Sequence, residues 1–193
     1  IPGLRRVRSL TIPENVTRIN ERAFEGMGLR ELHIPAKVTG IAPDAFDFCP
    51  DLVSFTVDEE NPAFTAVDGI LYNKEKTALL HYPANKKGAV YTVDAQVKAV
   101  GDHAFAYSEG LTELRIPEGV TKLGDRAFYS CIGINDITIP DSVTALGADL
   151  FGWCESLQTV QLPAGLTALP DGIFEGCKSL KTAALPASLR VVE

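Results

Sequence analysis

A register of 23 residues runs through most of this chain. Prolines that follow an apolar residue recur at this interval, at Pro117, Pro140, Pro163 and Pro186. Phenylalanines keep the same spacing, at Phe105, Phe128, Phe151 and Phe174. Units of this length bury their apolar faces only against their neighbours, so the chain is expected to form a solenoid. We predict one continuous domain over residues 1–193, built from about eight such units.

Each unit opens with the alternation typical of a short strand. In one unit Leu114 and Ile116 flank the polar Arg115, and Pro117 follows directly. Side chains alternate between the two faces of a strand, and proline lacks the amide hydrogen that a sheet ladder needs. The pattern therefore predicts a strand that ends at the proline. Equivalent units side by side align these strands in a parallel sheet, which we expect on the concave face.

The second half of each unit favours a short helix. An aspartate stands three residues before the phenylalanine in several units, at Asp102, Asp125 and Asp171. A carboxylate in that place can cap the start of a helix. The apolar residues Ala127, Phe128 and Cys131 then fall on one helical face. We expect one or two helical turns in each unit, with the phenylalanines stacked as an internal ladder.

The third unit contains an insertion at about residues 61–87. Asp68-Gly69 is typical of a tight turn, and the apolar runs 70–73 and 77–82 flank a polar segment. We predict a projecting β-hairpin. Insertions in solenoids often serve binding, whereas the structural alternative is a hairpin that covers a unit without a helix. The insertion's aromatic residues, Phe64, Tyr72 and Tyr82, are expected to serve packing.

Charge and hydropathy argue against two classes of partner. The formal net charge is −7 at pH 7, and no basic stripe is present to neutralise phosphates. We therefore expect no nucleic acid partner. No run of eighteen apolar residues and no leader pattern occurs, so we expect no membrane insertion in this segment. The chain starts at Ile1 and ends within a unit at Glu193, which we interpret as an excerpt from a longer array or an array with degenerate caps.

The cysteines share one position in the repeat, three residues after a phenylalanine, at Cys49, Cys131, Cys154 and Cys177. Met27 and Ser108 fill the same position in other units, as expected of a small buried packing site. We expect free, buried thiols. No C-x-x-C pair or Cys/His cluster occurs, so the sequence indicates no metal and no cofactor.

The three histidines form no catalytic constellation. We interpret His103 as a solvated helix residue, while His81 lies in the insertion and His33 on a strand beside Glu31. A serine, a histidine and an acid on one sheet are common by chance. An open sheet face supplies neither an oxyanion hole nor a pocket that excludes water. We expect no enzyme and no catalytic residue.

Exposed strand positions form the candidate binding surface. They give a polar, threonine-rich stripe that contains Glu31, His33, Thr56, Thr92, Glu113, Arg115, Asp136, Thr138 and Gln161. Threonine favours strands whatever the function, so the charged part is the stronger candidate for a protein contact. Aromatic residues two positions after the ladder phenylalanine are expected on the helical side, at Phe48, Tyr107 and Trp153. They matter only if they form one contiguous patch.

The whole pattern, L-x-x-L-x-I-P-x-x-V-x-x-I/L-G-x-x-A-F-x-x-C, resembles the BspA-like leucine-rich repeat family. Its last part recurs as Ala45-Phe46 with Cys49, and Leu150 and Ile173 replace the alanine in two units. The resemblance implies an α/β fold: a right-handed leucine-rich-repeat solenoid with a concave parallel sheet, convex helical turns and one hairpin insertion. It also implies a bacterial protein, secreted or at the cell surface, that takes part in adhesion.

Two function hypotheses follow from the resemblance and the exposed stripe. The first is a non-enzymatic, monomeric scaffold that binds a protein of the host matrix, the host cell surface or another microbe. The alternative is a passive spacer within a longer surface protein.

Overall fold

The computed structural model describes residues 4–192, which form a β-solenoid of about eight coils. We number the coils in chain order, one for each repeat unit, so that the third coil contains the insertion at residues 61–87. Ile1 and Glu193, where the sequence begins and ends, lie outside the described residues. A short 3-10 helix, Leu4–Arg6, precedes the strands. In chain order the strands are β1 (Arg18–Ile19), β2 (Glu31–Ile34), β3 (Gly40–Ile41), β4 (Ser54–Val57), β5 (Phe64–Val67), β6 (Ile70–Asn73), β7 (Ala78–His81), β8 (Val90–Thr92), β9 (Ala99–Val100), β10 (Glu113–Arg115), β11 (Lys122–Leu123), β12 (Asp136–Thr138), β13 (Ala145–Leu146), β14 (Thr159–Gln161), β15 (Ala168–Leu169), β16 (Thr182–Ala184) and β17 (Val191–Val192).

The strand predicted at the start of each unit is confirmed in most coils. These strands pair in parallel in three ladders, β2 with β4, β8 with β10, and β12 with β14 and β16. The central residue of β10, β12 and β14 is buried and its two neighbours are exposed, as the alternation predicts. We call this surface the first-strand sheet. The first coil forms no strand near Leu10, where one is predicted.

A second strand in most coils was not predicted. It follows the proline turn, and β7, β9, β11 and β13 pair in parallel in one continuous ladder. Two further pairs, β1 with β3 and β15 with β17, repeat the arrangement near the two ends. The sequence signal was a valine or leucine followed three residues later by another apolar residue, as in Val120 and Leu123. Most coils therefore contribute strands to two sheets.

The predicted helical turns are not confirmed: residues 4–192 contain no α-helix, and the fold is a β-solenoid of parallel strands. In the fifth coil Arg126 and Ser130 have φ of 53° and 58°, which interrupts the right-handed backbone of a helix. The amides instead alternate in direction. Those of Ala127 and Tyr129 bond three residues back, whereas those of Arg126, Phe128 and Ser130 bond carbonyls of the next coil.

The aspartates predicted to cap helices accept hydrogen bonds from other residues than those predicted. Oδ1 of Asp102 accepts the amide of Asp125 at 2.9 Å, and Oδ1 of Asp125 accepts the amide of Ala148 at 2.9 Å. Each carboxylate thus bonds the neighbouring coil and not the start of its own turn. These side chains hold the register between coils where the backbone has no helix to cap.

The phenylalanine ladder is confirmed. Ring centroids of Phe105, Phe128 and Phe151 follow one another at 5.6 and 5.5 Å, and all three rings are fully buried. The ladder changes composition at the third coil. There His81 packs 5.1 Å from Phe46, and Tyr82 packs 5.1 Å from Phe105. The insertion therefore supplies the two rings that continue the column.

The predicted hairpin forms part of a three-stranded insert that does not project. β5 and β6 are antiparallel, β6 and β7 are antiparallel, and β7 joins β9 in parallel. Strand β7 thereby takes the place of the second strand of the third coil. The aromatic residues of the insert are buried, as predicted for packing: Phe64, Tyr72 and Tyr82. The polar turn at residues 74–77 and the tight turn at Val67 and Asp68 are exposed.

Asn61 anchors the start of the insert. Its fully buried amide Nδ2 donates to the carbonyls of Pro35 and Val38 at 2.8 Å, and its Oδ1 accepts the amides of Ala63 and Phe64. The side chain thus satisfies all four of its bonds in a water-free place. This fixes the start of the insert in the third coil against the proline turn of the second coil.

Candidate functional site

A groove of about 820 Å³ runs across the first-strand sheet from the fifth to the seventh coil. It lies where the ladder of β8 and β10 meets the ladder of β12, β14 and β16, two ladders with no strand pairing between them in the described residues. Five of the predicted binding residues line it: Glu113, Arg115, Asp136, Thr138 and Gln161. The side chains of β10, β12 and β14 reach it because the exposed positions of each strand share one face.

The groove carries more negative than positive charge. Its lining includes three carboxylates, Glu113, Glu118 and Asp136, and one guanidinium, Arg115. Nε of Arg115 donates to Oε1 of Glu113 at 2.7 Å, so the only cation of this lining is already paired. Both side chains are about half exposed, so water screens this pair and its contribution to stability is small.

The other four predicted binding residues lie on the same sheet, outside the groove. Nδ1 of His33 and Oγ1 of Thr56 are 3.0 Å apart, across the pair of β2 and β4. Glu31 is exposed on β2, and Thr92 is exposed on β8 opposite Arg115. These four residues are exposed, as the alternation predicts, and the charged middle section of the stripe lines the groove.

Several lining residues were not predicted. Glu118 and Asn135 lie in the segments that follow and precede strands, outside the alternating pattern that identified the stripe. Oε2 of Glu118 accepts the amide of Ser142 at 3.3 Å, which holds this carboxylate at the end of the groove. Glu118 could have been identified as a lining residue because it is a charged residue directly after Pro117, the proline that ends a strand.

His103 is not the solvated residue that the sequence suggested. Its Nδ1 lies 2.9 Å from Oδ2 and 3.2 Å from Oδ1 of Asp47, and the His103 and Asp47 side chains are only 15% and 10% exposed. This ring connects the second and fourth coils. The nearby His81 is completely buried and its Nδ1 has no partner, and burial lowers the pKa of its imidazole to about 3, with a further contribution from the charge of His103.

The four cysteines form a regular set of thiol donors. Each Sγ donates to the carbonyl of the phenylalanine in the preceding coil: Cys49 to Phe24, Cys131 to Phe105, Cys154 to Phe128 and Cys177 to Phe151. Burial raises the pKa of the Cys49 thiol to about 11 and that of Cys154 to about 12. Cys177 is only half-buried, although the other three are buried as predicted.

These features define a class of protein: a solenoid of leucine-rich coils with an open groove on its first-strand sheet. The sequence profile of the BspA type leucine-rich repeat region matches residues 3–73 and 85–193, in six copies. The chain belongs to this family of leucine-rich repeat proteins, in agreement with the resemblance found in the sequence. No curated protein matches the chain.

Solved structures of bacterial leucine-rich repeat proteins share the fold. One from Eubacterium ventriosum has a TM-score of 0.88 at 30% identity over 96% of this chain and 54% of that chain. A leucine-rich cell surface protein from Faecalibacterium prausnitzii has a TM-score of 0.72 at 29% identity over 91% of this chain and 53% of that chain. The pneumococcal vaccine antigen PcpA, at 22% identity, has a TM-score of 0.65 over 85% of this chain and 51% of that chain, and shares the fold alone. This chain thus spans about half the length of these relatives.

The described residues contain no helix long and apolar enough to cross a membrane.

Proposed function

We propose that this chain is a non-enzymatic protein-binding scaffold at the bacterial surface or outside the cell, and that its partner docks in the groove of the first-strand sheet. The observation that carries the proposal is that the charged part of the exposed stripe lines a groove of about 820 Å³ on that sheet. Ordinary surface stripes are flat, whereas this one presents polar groups from three strands to a common volume.

The charge of the groove indicates the chemistry of the partner. Three carboxylates and a paired guanidinium favour a protein element that carries lysine or arginine, because complementary charge guides association and fixes register. The groove is wide and open, so polar contacts there remain accessible to water. We expect a modest affinity that weakens with added salt.

A surface location is supported by one relative. The Faecalibacterium prausnitzii protein is named a leucine-rich cell surface protein, at 29% identity. We extend that location to this chain, together with partners among host matrix, host-cell or microbial surface proteins and a monomeric state. The alternative function, a passive spacer in a longer surface protein, rests on the same fold without use of the groove.

Charge reversal in the groove tests the proposal. Purified wild-type protein and the double variant Glu113→Lys/Asp136→Lys are compared against immobilised matrix proteins and whole microbial cells, by surface plasmon resonance and flow cytometry. We expect at least one wild-type interaction that the double variant weakens tenfold or more. The matched control is Thr182→Lys, an exposed change on β16 outside the groove, which should bind as wild type.

Two results would contradict the proposal. Equal binding of wild type and double variant to every target favours the spacer function. A monomeric state is tested separately by light scattering coupled to gel filtration, where a dimer mass would remove that part of the proposal. Both measurements use protein whose circular dichroism matches wild type.

A further inference from the structure

One backbone position carries unusual side chains in the middle of the solenoid. It lies two residues after the ladder phenylalanine and is occupied in successive coils by Gly26, Phe48, Tyr107, Ser130, Trp153 and Gly176. All six residues have positive φ, between 54° and 73°. This left-handed conformation suits glycine and disfavours bulky side chains. Glycine at two of the six coils shows that the fold requires no side chain there.

Two of the three aromatic side chains at this position are exposed, and the third, Tyr107, is half-buried in contact with Phe48. Phe48 and Trp153 are 49% and 40% exposed. The rings of Phe48 and Tyr107 lie 4.0 Å apart, because the third coil is replaced at this position by the insert, and Tyr129 follows at 5.8 Å from Tyr107. We define the aromatic patch as Phe48, Tyr107, Tyr129, Ile132 and Trp153, which together line a shallow depression of about 240 Å³.

Folding alone does not account for the aromatic patch. Large rings on a left-handed backbone strain the chain, and exposure returns little hydrophobic stabilisation for that strain. Strain of this kind that persists next to a concavity is typical of sites that act on something outside the fold. A contiguous exposed apolar surface has the same meaning. The aromatic residues singled out in the sequence matter only if they lie together, and in the structure they line one depression.

The rings of the patch already have partners within the fold. Phe48 and Tyr107 pack against one another, the guanidinium of Arg126 lies 5.3 Å from the Tyr129 centroid, and the ammonium of Lys178 lies 5.7 Å from that of Trp153. The Trp153 ring also packs on the next coil, where a Cβ at Gly176 would come within 2.8 Å of it. Bases bind aromatic rings by stacking on open faces, so rings that are partly covered favour an apolar protein element over a base.

The charge at the patch is balanced. Arg126 is paired with Asp149 at 2.9 Å, and Lys178 is paired with Glu155 at 2.6 Å. An aromatic surface with balanced charge complements an uncharged apolar element, in contrast with the acidic groove. We propose that the aromatic patch is a second docking surface, which receives the aliphatic and aromatic side chains of an uncharged segment of a protein partner.

The single tryptophan of the chain reports directly on this surface. Linear twelve-residue peptides displayed on phage are selected on wild-type protein, and the enriched sequences are synthesised. We expect enrichment of uncharged peptides rich in leucine, phenylalanine or tryptophan. Titration with a selected peptide that lacks tryptophan should shift the Trp153 emission to shorter wavelength in a saturable way, since the ring loses contact with water.

The variant Phe48→Gly/Tyr107→Gly keeps the reporter and removes two rings at positions where glycine is favoured. It should fold as wild type by circular dichroism and bind the peptide at least tenfold more weakly. The control Lys76→Gly introduces glycine at another left-handed position, with φ of 58°, outside the depression, and should bind as wild type. Glu113→Lys, in the groove, should also leave peptide binding unchanged, which separates this proposal from the proposed function.

Four outcomes would overturn the proposal. These are a selection that enriches no apolar peptide, selected peptides that bind the double glycine variant as tightly as wild type, and peptide binding with no change in Trp153 emission. The fourth is an emission shift that depends only on the concentration of the protein itself, which would identify the occupant as a second copy of the chain.

Discussion

Nδ1 of His103 lies 2.9 Å from Oδ2 of Asp47, and this contact joins the second coil to the fourth across the inserted segment. The Asp47 side chain is only 10% exposed, so its carboxylate depends on the ring for a partner. We predict that His103→Leu lowers the free energy of unfolding by about 2 to 4 kcal/mol, because it leaves a buried carboxylate unpaired. Urea denaturation at pH 7 measures the change.

The double variant Asp47→Leu/His103→Leu is the control for that prediction. It should lose less than the sum of the two single variants, since the second substitution removes the charge that the first leaves unpaired. Additive losses would show that the two side chains stabilise the coils independently.

The burial of His81 makes stability depend on pH. Its folded pKa of about 3 lies below the ordinary value of 6.5, so the unfolded chain binds a proton more readily than the folded one. The contribution of His81 to the free energy of unfolding is therefore fully present above pH 6.5 and is lost as the pH decreases from 6.5 towards 3. Between pH 7 and pH 5 this group alone should cost about 2 kcal/mol.

Urea denaturation of wild type and His81→Leu at both pH values checks the prediction. The variant should lose less stability on acidification, by about that amount. His33→Leu, at an exposed histidine, should keep the wild-type dependence. Parallel pH profiles for wild type and His81→Leu would contradict the assignment.

Glycine at position 147 is required by the close approach of two coils. A Cβ there would collide with the backbone amide of Asp125 and the carbonyl of Gly124, atoms that cannot move without breaking the inter-coil ladder. We predict that Gly147→Ala lowers the free energy of unfolding by about 2 kcal/mol or more. Gly165→Ala is the matched control, because a Cβ at Gly165 meets nothing within 4 Å. Thermal unfolding followed by circular dichroism should show a decrease only for the first.

The cysteines should differ in reactivity according to their burial. Burial raises the thiol pKa of all four, and only Cys177 is partly accessible. With dithionitrobenzoate at pH 8 we expect Cys177 to react first and the remaining three to react at the rate of unfolding. Removal of the early phase in Cys177→Ala would confirm the order, whereas rapid reaction of all four thiols in native protein would refute it.

Much of the structure of the coil could be predicted from the sequence because each coil repeats the same contacts. The spacing of Phe128 and its equivalents identified the buried column, and the alternation about Leu114 identified the first strand. The prediction of a helix failed because the spacing of Ala127, Phe128 and Cys131 places them on the inner side of a helix and of a solenoid coil alike. The left-handed backbone at Arg126 and Ser130 distinguishes the two, and arginine and serine do not favour that conformation.

The candidate site was predicted in part for a similar reason. Alternation places Glu113 and Asp136 on one exposed face, which is a local property of each strand. The groove depends on how two neighbouring ladders meet, and the aromatic patch depends on the contact of Phe48 with Tyr107 across the insert. Both are relations between residues of different coils, which the local pattern of one strand does not give. The single domain over residues 1–193 and the right-handed winding remain predictions.

The first-strand sheet is divided between β10 and β12, while the second-strand sheet runs unbroken past the same point through β11 and β13. The fifth and sixth coils are thus joined by strand pairing in the second sheet and by none among the described residues of the first. The backbone amides and carbonyls of β10 and β12 that face the groove are therefore not used in pairing these two strands to each other, so an extended segment of a partner could meet main-chain as well as side-chain groups there.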